Sequence, residues 1–398
     1  MTTLARRLGT LDAVVIGLGS MIGAGVFASF APAARAAGPL FLAGLGIAAI
    51  VAYCNATASA QLAAQYPTSG GTYVYGRERL GDWWGFIAGW GFVVGKTASC
   101  AAMALTFAAY AAPAGWERPV AVAAVAGLVA VNYRGVTRTA KLARILVAAV
   151  LVVLAVVTAA GLRAPGAPAG QVHGAYGVLQ SAGLLFFAFA GYARIATMGE
   201  EVREPRRTIP RAILIALGIA VIVYAFVGVA VLHALGADAL ATSTAPLHDA
   251  YPSVIVTIGA ALASLGALLA LIAGVGRTTL AMARTGDLPR YLAAVHEKYQ
   301  VPHRAELVLG AVVCALVLTV DLRGAIGFSS FGVLVYYLVA NLAAFTQTDR
   351  LYARFWQVLG ALGCVVLVVT LPLPAILAGV GVYAVGLVYR VVRLRSRA

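Results

Sequence analysis

The chain has 398 residues, of which 62% are hydrophobic and 11% charged, and a formal net charge of +15. A mean hydropathy of +0.92 over that length excludes a water-soluble globule. Apolar runs of roughly 17 to 25 residues recur throughout and alternating barrel strands do not, so the composition describes an all-α polytopic membrane protein.

In a soluble chain this positive charge would point to nucleic acid; here its distribution reports orientation. With about twelve spans and both termini cytoplasmic, all but six of the 29 Lys and Arg fall in cytoplasmic segments. Arg35, Arg118, Arg163 and Arg323 fall outside, and Lys96 and Arg194 fall within spans. The expected location is the plasma (inner) membrane, with the lipid bilayer as partner and nucleic acid excluded. Two N-terminal arginines before an apolar run raise a signal peptide, but glycines interrupt that run and argue against it.

Span one covers 12–31 and contains Ile16 to Phe27, a run with four glycines. Gly costs about 1 kcal/mol against Ala inside a helix, so the cluster marks either a broken helix or close helix packing. At a break, one half-helix directs free N–H groups into a cavity and the other directs free carbonyls there, which suits a carboxylate beside an ammonium. Span two covers 40–62, followed by the loop Gln65 to Tyr75, rich in turn residues and tyrosines. Span three, 83–112, contains Lys96; spans four (119–132) and five (145–162) flank the basic stretch Arg134 to Arg144. The Pro-, Ala- and Gly-rich segment 163–173 reads as an extracellular linker.

Span six, 175–198, carries Phe186 to Thr197 with Gly191 at its middle and Arg194 three residues later, a second candidate break. Interrupted helices at corresponding positions of two halves mark a transporter's binding site. The segment Glu200 to Pro210 crowds charges of both signs at the cytoplasmic surface and leads into span seven, 209–232. The loop 233–251 is a candidate lid, and span eight, 252–276, runs into a polar helix stopped by Gly286 and Pro289. Spans nine (305–321) and ten (325–346) complete the second half. Spans eleven (356–371) and twelve (373–391) are almost purely apolar, suited to packing or to a homodimer contact, and a basic cytoplasmic tail covers 392–398. Cys54, Cys100, Cys314 and Cys364 have neither metal-site nor secreted-disulfide spacing, so no metal or cofactor is expected.

Several ordered motifs together resemble the amino acid/polyamine/organocation superfamily of permeases. They are Gly19 to Phe27 with Gly38-Pro39, Pro67 to Tyr73 with Gly89-Trp90, Phe187 to Thr197 running into Glu200-Glu201-Val202 and Pro205 to Pro210, and Met282 to Pro289. The resemblance covers spans one to ten. It implies a five-plus-five inverted repeat of the bacterial leucine-transporter type, with residues 12–162 and 174–346 as the two repeats, discontinuous helices 1 and 6, and 355–391 peripheral. It also implies alternating-access transport of amino acids or related amines. Carried over, the substrate carboxylate meets N–H groups of Gly23, Ala24 and Gly25, and the amine meets carbonyls near Gly19, Ser20, Met21, Phe187 and Ala190. The unwound segments thus include Ile22 and Gly191. Phe187 matches an aromatic gate, with simple packing as the alternative.

The sequence departs from the common pattern in three places. Gln61 stands where many relatives have Glu, Ala193 and Arg194 follow the span-six glycine and aromatic where many have an acid, and span five lacks a sodium-replacing lysine.

All 14 acidic residues fall in loops or at span ends, which disfavours cationic substrates and favours neutral or small amino acids. Lys96 lies about 20 Å into span three, near mid-membrane, where an ionisable group is a functional candidate by default. Burial disfavours a lysine's charged form, so Lys96 is the candidate proton carrier or fixed substitute for sodium; a structural lysine on helix-break carbonyls is the alternative. Arg194 either grips an anionic group or snorkels to the boundary. Sodium coupling through Thr257 and Ser264 stays open. No nucleophile with base, paired carboxylates or metal cluster sits in the spans, so an enzyme is not expected. A proton-coupled symporter is the first expectation; an exchanger without ion coupling and an amino-acid sensor are the alternatives.

Overall fold

The computed structural model describes residues 8–67, 70–135, 140–199 and 201–395. Thr68, Ser69, Glu200 and the last residues of the basic tail, all named in the sequence reading, lie outside these ranges, as do Arg6 and Arg7.

Seventeen α-helices follow in order among the described residues: α1 (Thr10–Met21), α2 (Ala24–Ala28), α3 (Phe30–Ala37), α4 (Phe41–Gln65), α5 (Thr72–Leu80), α6 (Asp82–Ala111), α7 (Glu117–Tyr133), α8 (Ala140–Arg163), α9 (Ala175–Phe189) and α10 (Ala193–Ala196) come first. Then come α11 (Pro205–Thr242), α12 (Pro246–Ala250), α13 (Val254–Arg284), α14 (His303–Thr319), α15 (Leu322–Phe345), α16 (Arg354–Thr370) and α17 (Leu373–Arg395). Among the described residues, nine helical stretches are long and apolar enough to cross a bilayer. The twelve-span expectation therefore stands in the coarser form of a many-helix membrane protein. The difference lies in α7, α14 and α16, each 17 residues, which at 1.5 Å per residue reach only about 26 Å.

Helix α6 is the central post, packed along α15 and α13. Glycine makes the first contact possible: a Cβ on Gly332 would lie 2.8 Å from both the Gly91 carbonyl oxygen and the Gly95 Cα. A hydrogen bond between the Ser99 and Ser329 hydroxyls, 2.6 Å, locks the same pair of helices. Large apolar side chains left exposed, such as Val152, Ile222, Phe226, Leu377 and Val385, lie on α8, α11 and α17, which form the outer face of the bundle. In lipid such a face is the ordinary state of a spanning helix rather than a docking patch.

One end of the bundle is tied by a charged clasp. The Asp287 carboxylate, just past α13, accepts from Arg77 Nη1 of α5 at 3.0 Å and from Arg390 Nη1 of α17 at 2.6 Å. It also accepts from the Tyr73 hydroxyl at 2.8 Å. The Arg390 guanidinium carbon lies 4.7 Å from the Phe86 ring centre and 4.9 Å from that of Trp83. An otherwise lipid-facing last helix is thereby pinned to α5, α6 and α13.

Candidate substrate site at the interrupted helices

Both glycine-marked segments are interrupted. Helix α1 stops at Met21, Ile22 and Gly23 take non-helical dihedrals (φ/ψ −80/60° and −109/−136°), and α2 begins at Ala24. Helix α9 passes at Ala190–Tyr192 through a 3₁₀ turn into the one-turn α10. The two interruptions touch through backbone: a Cβ on Gly191 would lie 2.3 Å from the Ser20 carbonyl carbon. Glycine at 191 is therefore a requirement of close approach, which no larger residue meets without moving α1.

Freed carbonyls at these ends are capped from neighbouring helices. The Tyr224 hydroxyl of α11 shares its proton between Met21 O at 2.7 Å and Ala188 O at 3.0 Å. Lys96 Nζ, from the middle of α6, donates to Ala190 O at 3.1 Å. Lys96 is 6% exposed and has no carboxylate within ion-pair distance among the described residues. The Tyr110 hydroxyl of α6 donates to Phe27 O at 2.8 Å and accepts from the Leu247 amide at 3.2 Å, so the segment 246–250 is seated over the end of α2 with Leu247 fully buried.

A cavity opens on the opposite side. Its inner part is lined by Ser20, Lys96, Ala190, Gly191 and Arg194 against the α13 wall of Ala267 and Leu271. Its outer part, about 290 Å³, continues past Gly19, Asn132, Arg277 and Glu201 to Leu8. Leu8 is held there by a parallel bridge to Val202, its N–H on Glu201 O at 3.1 Å and its carbonyl accepting from Arg203 N at 2.9 Å.

Of the residues singled out from sequence, Gly19, Ser20, Lys96, Ala190, Gly191 and Arg194 thus meet at one cavity. Ile22 lines a small crevice with Gly19 and Val147. Met21, Gly23, Ala24, Gly25 and Phe187 are buried behind the walls. A Cβ on Gly23 would lie 2.6 Å from that of Ala267, and one on Gly25 would lie 2.6 Å from the Ala188 Cα, so these two glycines serve close packing in this conformation. Thr257 and Ser264 lie along α13, and the Ser264 hydroxyl is buried without a hydrogen-bond partner among the described residues.

Sequence reasoning missed four contributors. Tyr224 is unremarkable in a hydrophobic run, and only the fold brings its hydroxyl to the breaks. Arg277 sits at the end of predicted span eight, and its Nη1 lies 3.9 Å from Glu201 Oε1. The Asp287 clasp joins residues more than 200 positions apart. Glu306, in the first turn of α14, is 2% exposed; its side chain packs beside Gly276, and its Oε2 has no hydrogen-bond partner among the described residues.

A family model described as amino acid permease matches residues 8–391. The chain belongs to the amino acid permease family. The match spans α1 to α16 and most of α17 and agrees with the resemblance drawn from the motifs. Among relatives, an uncharacterized transporter of Mycobacterium tuberculosis is 60% identical over 99% of this chain and 93% of its own length. More distant permease relatives are the chloroplastic cationic amino acid transporter 7 of Arabidopsis thaliana, 28% identical over 90% of this chain and 68% of its own. A branched-chain amino acid permease of Bacillus subtilis is 26% identical over 86% of this chain and 80% of its own. Family membership makes this permease a multi-pass membrane protein whose substrates are amino acids.

Proposed function

We propose that this permease is a secondary active amino acid transporter working by alternating access, with Lys96 coupling transport to proton movement. The observation that carries the reading is the meeting of two interrupted helices at a cavity into which a buried, carboxylate-free lysine donates, 3.1 Å from Ala190 O. A charge held in that setting costs several kcal/mol unless it is compensated or lost, which gives the proton a reason to leave once per cycle. The five-plus-five repeat accounts for interruptions at corresponding spans, one and six.

The positive-inside asymmetry puts Leu8, Glu201 and Arg277 on the cytoplasmic side of the inner membrane, so the cavity faces the cytoplasm with 246–250 closed on the outside. Relatives named for cationic and for branched-chain amino acids agree on the α-amino acid and differ in side chain. Sodium remains a second reading through one observation, the unpartnered Ser264 hydroxyl.

The experiment is accumulation in proteoliposomes under an imposed pH gradient, with and without sodium. Lys96→Ala abolishes proton-driven accumulation and leaves part of the exchange activity. Unchanged accumulation by Lys96→Ala overturns the coupling role, and sodium-dependent accumulation moves it to Ser264.

A further inference from the structure

We infer that the transported substrate carries a carboxylate on its side chain as well as on its α-carbon, an amino acid of the glutamate or aspartate class, bound between Lys96 and Arg194. The inference rests on the transport reading above and deepens it.

It starts from a charge imbalance in the cavity wall. Three cations line it, Lys96, Arg194 and Arg277. Among the described wall residues the carboxylate is Glu201, and it stands 3.9 Å from Arg277. Arg277 and Glu201 form the ion pair of this wall, with Glu306 buried nearby at the start of α14, and among the described residues neither Lys96 nor Arg194 has a carboxylate within ion-pair distance.

Both remaining cations hold donors in reserve. A lysine ammonium has three N–H donors and a guanidinium five. Lys96 uses one, on Ala190 O, and Arg194 uses one, on Thr197 Oγ1 at 3.3 Å. Position 194 follows Ala190 by four residues, so the guanidinium root lies about 6 Å along the axis from the carbonyl that anchors Lys96. Two cations spaced along one wall, facing apolar Ala267, Ala270 and Leu271, make a strong anion site.

Substrate classes can be ranked on that basis. A cationic amino acid adds a second ammonium to two unmatched cations and is repelled. A neutral zwitterion, the class expected from the placement of the acidic residues, has no net charge and brings one carboxylate for two cations. A dicarboxylic amino acid matches both, with its side-chain carboxylate in the bidentate geometry that Arg194 offers and its α-carboxylate on Lys96 rather than at Gly23 to Gly25, which are packed against α13 and α9 in this conformation. Its ammonium then meets the freed carbonyl end of α1 at Gly19 and Ser20.

The test is counterflow in proteoliposomes loaded with L-glutamate, L-glutamine, L-leucine or L-arginine, with competition against labelled L-glutamate. Glutamine is the neutral isostere, so the glutamate-to-glutamine ratio reads the side-chain charge alone. The wild-type protein is expected to prefer glutamate over glutamine at least tenfold and to ignore arginine. Arg194→Gln should lower that ratio at least tenfold, while Arg194→Lys keeps an acidic preference. Robust exchange of glutamine, leucine or arginine at the level of glutamate overturns the acidic class and leaves amino acid transport standing. Absence of exchange with every amino acid overturns the transport reading as well. Should Arg194→Gln fail to fold, the wild-type ranking decides by itself.

Discussion

Replacing Asp287 by Ala should destabilise the folded protein by about 3–5 kcal/mol, because it removes the common acceptor of two arginines at a largely buried position. Asp287 is 9% exposed and Arg390 5%. An opposite charge at about 4 Å is worth about 4 kcal/mol at an effective dielectric of 20, and here the contacts are 2.6 and 3.0 Å. Desolvation of the three groups takes back part of that gain in the intact clasp, but not in the variant, where Arg390 stays buried without an acceptor at Nη1. Its Nε already lacks a partner. The double variant Asp287→Leu with Arg390→Met should recover most of the loss, since a buried ion pair exchanged for packed apolar groups is often neutral. Reversible unfolding in mixed detergent micelles measures all three proteins, and a double-mutant cycle isolates the coupling. A loss under about 1 kcal/mol for Asp287→Ala would refute the reasoning, because that is how exposed pairs behave.

Three further outcomes can be measured in the same system. Burial pushes the Tyr73 phenol above its usual value of 10.0, so its bond to Asp287 contributes fully below that pH and is lost as pH rises through the higher folded value. The stability difference between wild type and Tyr73→Phe should therefore be flat from about pH 6 to 9 and shrink above about pH 10; shrinkage by pH 8 would contradict it. Gly191→Ala should cost more than the usual 1–3 kcal/mol of overpacking, since its Cβ meets the Ser20 backbone at 2.3 Å, whereas Gly127→Ala, with open space around it, should be neutral or gain up to about 1 kcal/mol. Tyr224→Phe leaves Met21 O and Ala188 O uncapped and should cost about 1–3 kcal/mol, with transport reduced further than stability; equal transport would separate Tyr224 from the site.

The helix interruptions were legible because glycine has a local cost that only unwinding or close approach repays, and Gly23 and Gly191 sit where the chain indeed breaks. Lys96 was legible for a similar reason, since an ionisable group deep in an apolar run has no local explanation. What the sequence did not reveal is which glycines face the cavity. Gly25 and Gly191 look alike in the chain, yet the first packs on Ala188 and the second on the α1 terminus, and only the folded packing of α1, α2 and α9 separates them. Tyr224 and the Asp287 clasp were invisible because a hydroxyl or carboxylate is defined by its partner, and the partners lie on helices far away in sequence. Counting acidic residues by distance from the span ends also misled in one respect. Glu306 and Asp287 do lie at helix ends, but both are buried there, because neighbouring segments cover those ends.

The capping of the freed carbonyls bears on how such a site cycles. A helix break with free carbonyls in a membrane would be costly if it waited empty for a substrate amine. Here Met21 O and Ala188 O are held by Tyr224, and Ala190 O by Lys96 at 3.1 Å and more loosely by the Tyr337 hydroxyl at 3.4 Å, so the protein supplies its own donors. The two donors differ in kind. The Tyr224 hydroxyl is fixed on α11 and joins α1 to α9 directly, so it acts as a permanent tie between the two interruptions. Lys96 reaches from α6 on a flexible four-carbon stem, and its ammonium can leave Ala190 O for a carboxylate in the cavity. A substrate anion that draws Lys96 away leaves Ala190 O, on the 3₁₀ turn next to Gly191 at the contact with Ser20, to the longer bond from the Tyr337 hydroxyl at 3.4 Å. Binding and loosening of the α1 to α9–α10 contact would then be one event, which is the coupling alternating access requires. Counterflow through Lys96→Met, which keeps the stem and loses the donor, tests it: the variant should bind weakly and should no longer show a substrate-dependent change in labelling at a cysteine introduced for Ala270.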